Sequence, residues 1–109
     1  MKHMNILKLS AVFAVVSLSA LSTSQVALAS PEIAKKNNCL ACHTLDKRVI
    51  GPSIRDMAKK YKGDPGAVSR LVDRVRRGSV GVWGQTPMQA YPDLSQQDAE
   101  AVVRWMLDR

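Results

Sequence analysis

Cys39-Leu40-Ala41-Cys42-His43 packs two thiols and an imidazole into five residues. Two cysteines three positions apart at the end of a helix can reach the two vinyl groups on one edge of a porphyrin and form thioethers with them. The histidine that follows at once is carried beneath the ring, where its imidazole can bind iron. C-x-x-C-H is accordingly the pattern for covalent haem attachment. Other chemistries suit these residues less well. A zinc site wants four ligands, usually Cys or His, and the only other histidine, His3, lies in an N-terminal segment whose composition marks it for removal. A redox dithiol expects a strand before C-x-x-C, and the residues before Cys39 read as helix. A disulfide between the two cysteines would close too small a loop to stabilise much.

Iron bound by His43 has a second face, and no histidine is left to fill it. Methionine is the natural candidate. Met1 and Met4 belong to the N-terminal segment, while Met57 and Met106 fall on apolar helix faces, where methionine usually fills space. Met88 remains. It follows Pro87 in a stretch without helical period, so its thioether can be presented from an extended segment whose direction the proline helps to fix.

These groups must be positioned by a small domain. Residues 1–29 have a basic start at Lys2 and Lys8, an apolar run from Leu9 to Leu21 and small residues at Ala27 and Ala29, the pattern of a secretory signal peptide. The run is about a dozen residues, well short of the roughly 20 that span a bilayer. The mature chain is expected to be residues 30–109, in the periplasm, without stable membrane insertion. Of the 109 residues, 80 then remain, and the formal charge of +7 falls to +5, from 14 basic and 9 acidic side chains. A chain of this size rarely stabilises a fold by an apolar core alone, and a bound porphyrin would supply what is missing. A large multidomain enzyme is excluded. The basic run from Arg70 to Arg77 raises nucleic-acid binding, but export and the lack of aromatics between the basic residues count against it.

The mature sequence predicts an all-α domain, with four or so helices and no run of alternating β-branched residues. Ser30-Pro31-Glu32 is a helix start, with a serine cap, a proline at the first helical position and an acid near the positive end of the dipole. That helix is expected to run toward Cys39. Ile54, Met57, Ala58 and Tyr61 share one face of a second helix that Gly63 can end. Asp64-Pro65 starts a third, with Val68, Leu71, Val72 and Val75 inward and Gly78 as its stop. From Gly78 to Leu94 the chain carries glycines and prolines without helical period, a loop long enough to suggest function. Ser95 and Asp98 open the last helix in the manner of a capping box, burying Ala99, Val102, Val103 and Met106.

In sequence order, Cys39-Leu40-Ala41-Cys42-His43, Val49-Ile50-Gly51-Pro52, Arg74 through Gly78-Ser79, Gly81-Val82-Trp83-Gly84, Pro87-Met88 and Arg104-Trp105 resemble the small bacterial class I cytochromes c of the periplasmic one-haem type. The resemblance covers nearly the whole mature chain. It implies one haem c attached through Cys39 and Cys42, with His43 and Met88 as axial iron ligands and the Pro52 carbonyl accepting a hydrogen bond from the His43 ring. It also implies that Trp83 and Arg74 hydrogen-bond a haem propionate. Two departures stand out. Tyr91 occupies a position where relatives often carry an asparagine bonded to the methionine sulfur, and Ala34 one where some have an aromatic, which implies a leaner crossing of the first and last helices.

The expected function is one-electron transfer between respiratory-chain proteins, with iron cycling between Fe(III) and Fe(II) and no substrate bond made or broken. Two axial protein ligands leave no open coordination position, which argues against an enzyme. The alternative is a haem-based sensor or ligand-binding protein with an open sixth iron position. The basic surface, with Lys35, Lys36, Lys47, Arg48 and Lys59 flanking the C-x-x-C-H segment in sequence, suggests redox partners with acidic docking surfaces, and the carrier is expected to act as a monomer.

Overall fold

The computed structural model describes residues 30–109; the expected signal peptide at 1–29 lies outside the described residues. Five helical segments follow in order: α1 (Ser30–Lys36), α2 (Cys39–Cys42), α3 (Ile54–Lys60), α4 (Ala67–Arg77) and α5 (Gln96–Leu107). No strand occurs among the described residues, only two isolated antiparallel bridges, His43 with Arg48 and Ser79 with Met88. The all-α reading holds.

The first helix does not run unbroken to Cys39. It stops at Lys36, and Asn38 adopts a left-handed conformation (φ 56°, ψ 23°) before the single turn of α2 begins. Asparagine is among the few residues other than glycine that tolerate this region. Asn37 donates from both its backbone nitrogen (3.1 Å) and its side-chain Nδ2 (2.8 Å) to the Ile33 carbonyl, closing the end of α1. The turn re-aims the chain, so the two cysteines occupy a helical turn of their own.

Ser53 and Ser95 cap α3 and α5, each side-chain oxygen accepting from the backbone N–H three residues on, Asp56 and Asp98, at 3.0 Å. The third helix starts later than Asp64-Pro65 suggested. Asp64 accepts from the Gly66 N–H at 3.0 Å in a tight turn, and regular helix begins at Ala67. Such a local side-chain bond offers the backbone an alternative to helix. Gly78 terminates α4, as expected.

Helix α5 is the hub: α1, α3 and α4 each pack against it, and not against one another. Its Ala99, Val102, Val103 and Met106 are all buried, together with Ile33 and Ala34 of α1, Ile54 of α3 and Val72 of α4. Burying an aliphatic side chain of this kind contributes roughly 1.5–3 kcal/mol. Ala34 and Ala99 are fully enclosed, so α1 meets α5 through small side chains with no surface left open. The spacing between packed helices follows the size of the side chains at their contact.

Candidate functional site

The segment after α2 folds back on itself and is fastened at three places. Gly51 N–H donates to the Cys42 carbonyl (2.9 Å), Ile54 N–H to Thr44 (2.9 Å) and Arg55 N–H to Leu45 (3.1 Å). These bonds bring Pro52 over His43, whose Nδ1 lies 2.8 Å from the Pro52 carbonyl oxygen. A carbonyl can only accept, so Nδ1 carries the proton and the Nε2 lone pair is left for a metal. His43 is buried, with 7% of its surface exposed. Gly51 makes that seat possible: a Cβ there would stand 2.6 Å from His43 Cε1 and 2.8 Å from Nδ1. Any larger residue would push the imidazole aside.

Across from this segment, the loop between α4 and α5 is pinned at its middle. Ser79 and Met88 exchange both backbone hydrogen bonds, at 3.1 and 2.8 Å. The Tyr91 N–H then donates to the Val75 carbonyl at 3.0 Å, tying the loop's far end to α4. Gly78 sits where the two arms of the loop approach, at φ 82° and ψ 167°, and a Cβ on it would lie 3.0 Å from the Met88 carbonyl oxygen. Proline alone therefore does not set the direction of Met88; a backbone bridge with Ser79 does.

Between the two segments lies a cavity of about 420 Å³, within the usual range of cofactor pockets. Cys39, Cys42, His43, Pro52, Arg74, Trp83 and Met88 all line it. The structure thus brings together the seven residues that the sequence and its resemblance assigned to the haem. Much of the remaining wall is apolar, including Ile50, Leu71, Val75, Val102 and Val103. Met57 and Met106 also line the cavity, but both belong to or pack against the buried core, whereas Met88 does not.

The two thiols are not joined in a disulfide. Burial pushes the Cys39 thiol above its ordinary value, with the neighbouring Cys42 adding to the effect, while a backbone hydrogen bond opposes it. Among the described residues no group of three or more His, Cys, Asp or Glu side chains is arranged to hold a metal ion, which leaves the zinc alternative without a ligand set. What the cavity offers instead is two thiols, an imidazole with a free Nε2, a thioether, apolar walls and a cationic end. That donor set fits a haem.

The cationic end has more members than the sequence revealed. Arg48 lines the cavity and donates from Nη2 to the Trp83 carbonyl, joining the two segments across 35 positions of sequence. The Lys60 ammonium lies 5.2 Å from the centre of the Trp83 ring. Of the basic residues flanking the C-x-x-C-H segment in sequence, Arg48 lines the cavity, whereas Lys35, Lys36, Lys47 and Lys59 do not. Nothing in a single sequence pairs Arg48 with Trp83; the tight Gly51-Pro52 dipeptide was the one visible signal for the histidine seat. The basic run of α4 is spoken for internally. Arg70 pairs with Asp64, Arg74 with the Tyr61 hydroxyl, Arg76 with the Leu94 carbonyl and Arg77 with Asp73.

Comparison with known proteins agrees with this geometry. The sequence model for cytochrome c matches residues 29–109. Cytochrome c-552 of Nitrosomonas europaea is 43% identical over 89 residues, covering 82% of this chain and 86% of that protein. Cytochrome c-551 of Pseudomonas aeruginosa is 39% identical over 101 residues, covering 89% and 96%. The crystal structure of wild-type Nitrosomonas europaea cytochrome c552 superposes with a TM-score of 0.69 at 42% identity, over 72% of this chain and 96% of that one. The cavity, the C-x-x-C-H turn on its wall and these likenesses together mean that the chain belongs to the cytochrome c family, as a small class I member that carries electrons on a haem c attached through Cys39 and Cys42.

Proposed function

We propose that this chain is a periplasmic, monomeric carrier in which His43 and Met88 would be the two protein ligands holding the haem iron. When bound, the haem supplies an iron that alternates between Fe(III) and Fe(II) and so takes up or gives out one electron. The observation that carries the reading is the convergence of Cys39, Cys42, His43 and Met88 on one cavity from two separately fastened segments. The Pro52 carbonyl fixes the His43 ring and raises the basicity of Nε2, as partners of this kind do for metal-bound histidines. A neutral thioether on the other face favours the reduced iron, so the potential is expected to be high for a haem protein. With His43 and Met88 both holding the iron, no position would be left for a substrate, which fits an electron carrier rather than an enzyme.

Trp83 and Arg74 serve the haem propionates, which need hydrogen bonds or charge wherever they are screened from water. Ser30 is the first residue of the mature chain, with export directed by residues 1–29. Intact mass, giving the chain from Ser30 plus one haem that resists extraction, tests processing and attachment together. The docking surface for a redox partner lies around the cavity mouth. Ile50 and Val80, both on the cavity wall, are 54% and 61% exposed, and Leu45 and Val49 in the same histidine-bearing segment are exposed as well. Exposed lysines elsewhere on the surface supply the attraction to an acidic partner, whose association rate is expected to fall as salt screens it.

The ligand assignment is tested by absorbance of the oxidised protein. Met88→Ala is expected to abolish the sulfur-to-iron charge-transfer band near the red edge and to open the iron to small ligands, whereas Met57→Leu, a nearly volume-conserving change, leaves the band intact. A wild-type spectrum without that band would favour a sensor with an open sixth position instead.

A further inference from the structure

Arg74 takes its protein hydrogen bond from an element that α4 does not pack against. Its Nη1 donates to the Tyr61 hydroxyl at 3.2 Å, and Tyr61 is the residue that ends α3. α3 and α4 each pack on α5 and not closely on each other, so this bond is a side-chain tie between them. Both partners are half-buried. A guanidinium has five N–H groups in a rigid fork, and one fixed bond restricts where the others can go. The Tyr61 oxygen accepts from Arg74, so its own proton stays available for a second acceptor.

The surroundings are built for carboxylates. The Lys60 ammonium stands between the Tyr61 ring (6.0 Å) and the Trp83 ring (5.2 Å), and Arg74 and Trp83 both line the cavity. Arg74 and Trp83 are thus on the cavity wall, and Tyr61 and Lys60 stand behind them, one bonded to the guanidinium and the other over the indole. We infer that Tyr61 is a positioning residue for the haem propionates: its hydroxyl holds the Arg74 guanidinium so that the remaining donors are presented to the carboxylates. The inference rests on the reading that Arg74 serves the propionates. Without this tie Arg74 would lose the side-chain hydrogen bond that fixes its fork.

A double-mutant cycle on the haem-loaded protein tests it, with the reduction midpoint measured by equilibrium titration at one pH in wild type, Tyr61→Phe, Arg74→Leu and the double variant. Arg74→Leu removes a positive charge beside the cofactor and is expected to lower the midpoint. Tyr61→Phe keeps the ring and its contact with Lys60, and is expected to lower the midpoint by a smaller amount in the wild-type background and by nothing in the Arg74→Leu background. Equal shifts in both backgrounds, or a fall in melting temperature with the midpoint unmoved, would overturn the inference. If Arg74→Leu itself left the midpoint unchanged, the parent reading of Arg74 would fall and the role of Tyr61 with it. If Arg74→Leu moved it and Tyr61→Phe did not, the role of Tyr61 alone would fall. Arg74→Gln replaces Arg74→Leu in the same cycle if the leucine variant gives no holoprotein.

Discussion

His43 enters the cavity from a short segment that is fastened to its own neighbours by three backbone hydrogen bonds, whereas Met88 enters from the long loop between Gly78 and Leu94. Around the histidine the contacts are near in sequence: Cys42 with Gly51, Thr44 with Ile54, and the ring with Pro52 nine positions away. Around the methionine the holding points are the Ser79 bridge, the Gly81 N–H bonded to the Gly84 carbonyl at 2.9 Å, and the tie from Tyr91 to α4. His43 is buried, while Pro87, Gln89 and Ala90, which surround Met88, are exposed. The histidine side is built as a rigid seat. The methionine side is a strap, and local opening starts where buried contacts are few and backbone bonds face solvent.

The sharpest way to break this contrast is at Gly51. Gly51→Ala places a methyl 2.6 Å from the His43 ring in a segment that cannot give way without losing the Cys42 bond. Overpacking of that kind costs about 3 kcal/mol, and a lower denaturation midpoint with altered iron ligation on the histidine side is the expected result. A variant with wild-type stability and an unchanged spectrum would show that the seat is soft after all.

Gly78→Ala comes next and acts on the other side. The backbone there lies in a region open essentially to glycine alone, which costs another residue about 2 kcal/mol, and the added methyl faces the Met88 carbonyl. The expected outcome is a weakened sulfur charge-transfer band and faster uptake of small iron ligands, with the histidine side undisturbed. Should Gly78→Ala prove more damaging than Gly51→Ala, the contrast between seat and strap would be reversed.

The smallest effect is expected at Asp64, outside both segments, which makes it a control. The bond from Arg70, helped by the Gly66 N–H, holds its carboxyl below the usual carboxylate range. A lowered value in the folded state means that the charged form is favoured by folding. Its contribution is therefore present above about pH 4, the ordinary value of an unfolded aspartate, and is lost as pH falls through the folded value. Asp64→Asn should melt lower than wild type at neutral pH and converge with it in acid, with ligation unaffected at every pH. Melting curves followed at the sulfur band and in the far ultraviolet check both halves of that expectation.

The features legible in the sequence are those that depend on local spacing. α5 could be read in full, from the Ser95 cap to its four buried residues, because a 3.6-residue period and a capping serine are local signals. C-x-x-C-H is local in the same sense. The break at Asn38 was less visible, since it depends on a left-handed backbone that asparagine permits but does not demand. Least visible were the ties that shape the cavity: Arg48 to Trp83, Tyr61 to Arg74, and Ser79 to Met88. None follows from helical spacing, and hydrophobic periodicity says nothing about which polar groups meet across loops or between helices. The resemblance to class I cytochromes c named Arg74 and Trp83, but not the residues that hold them.

Because α1, α3 and α4 all rest on α5 and on no other long helix, the order in which the chain becomes available matters. Synthesis proceeds from the N-terminus, so Gln96–Leu107 is the last of the helices to be made. The earlier helices close against it, and Cys39 is 8% exposed in the finished fold. The C-terminal helix is thus the closing piece of the fold: a chain cut before Gln96 is expected to keep its thiols open to labelling and to leave its core unset.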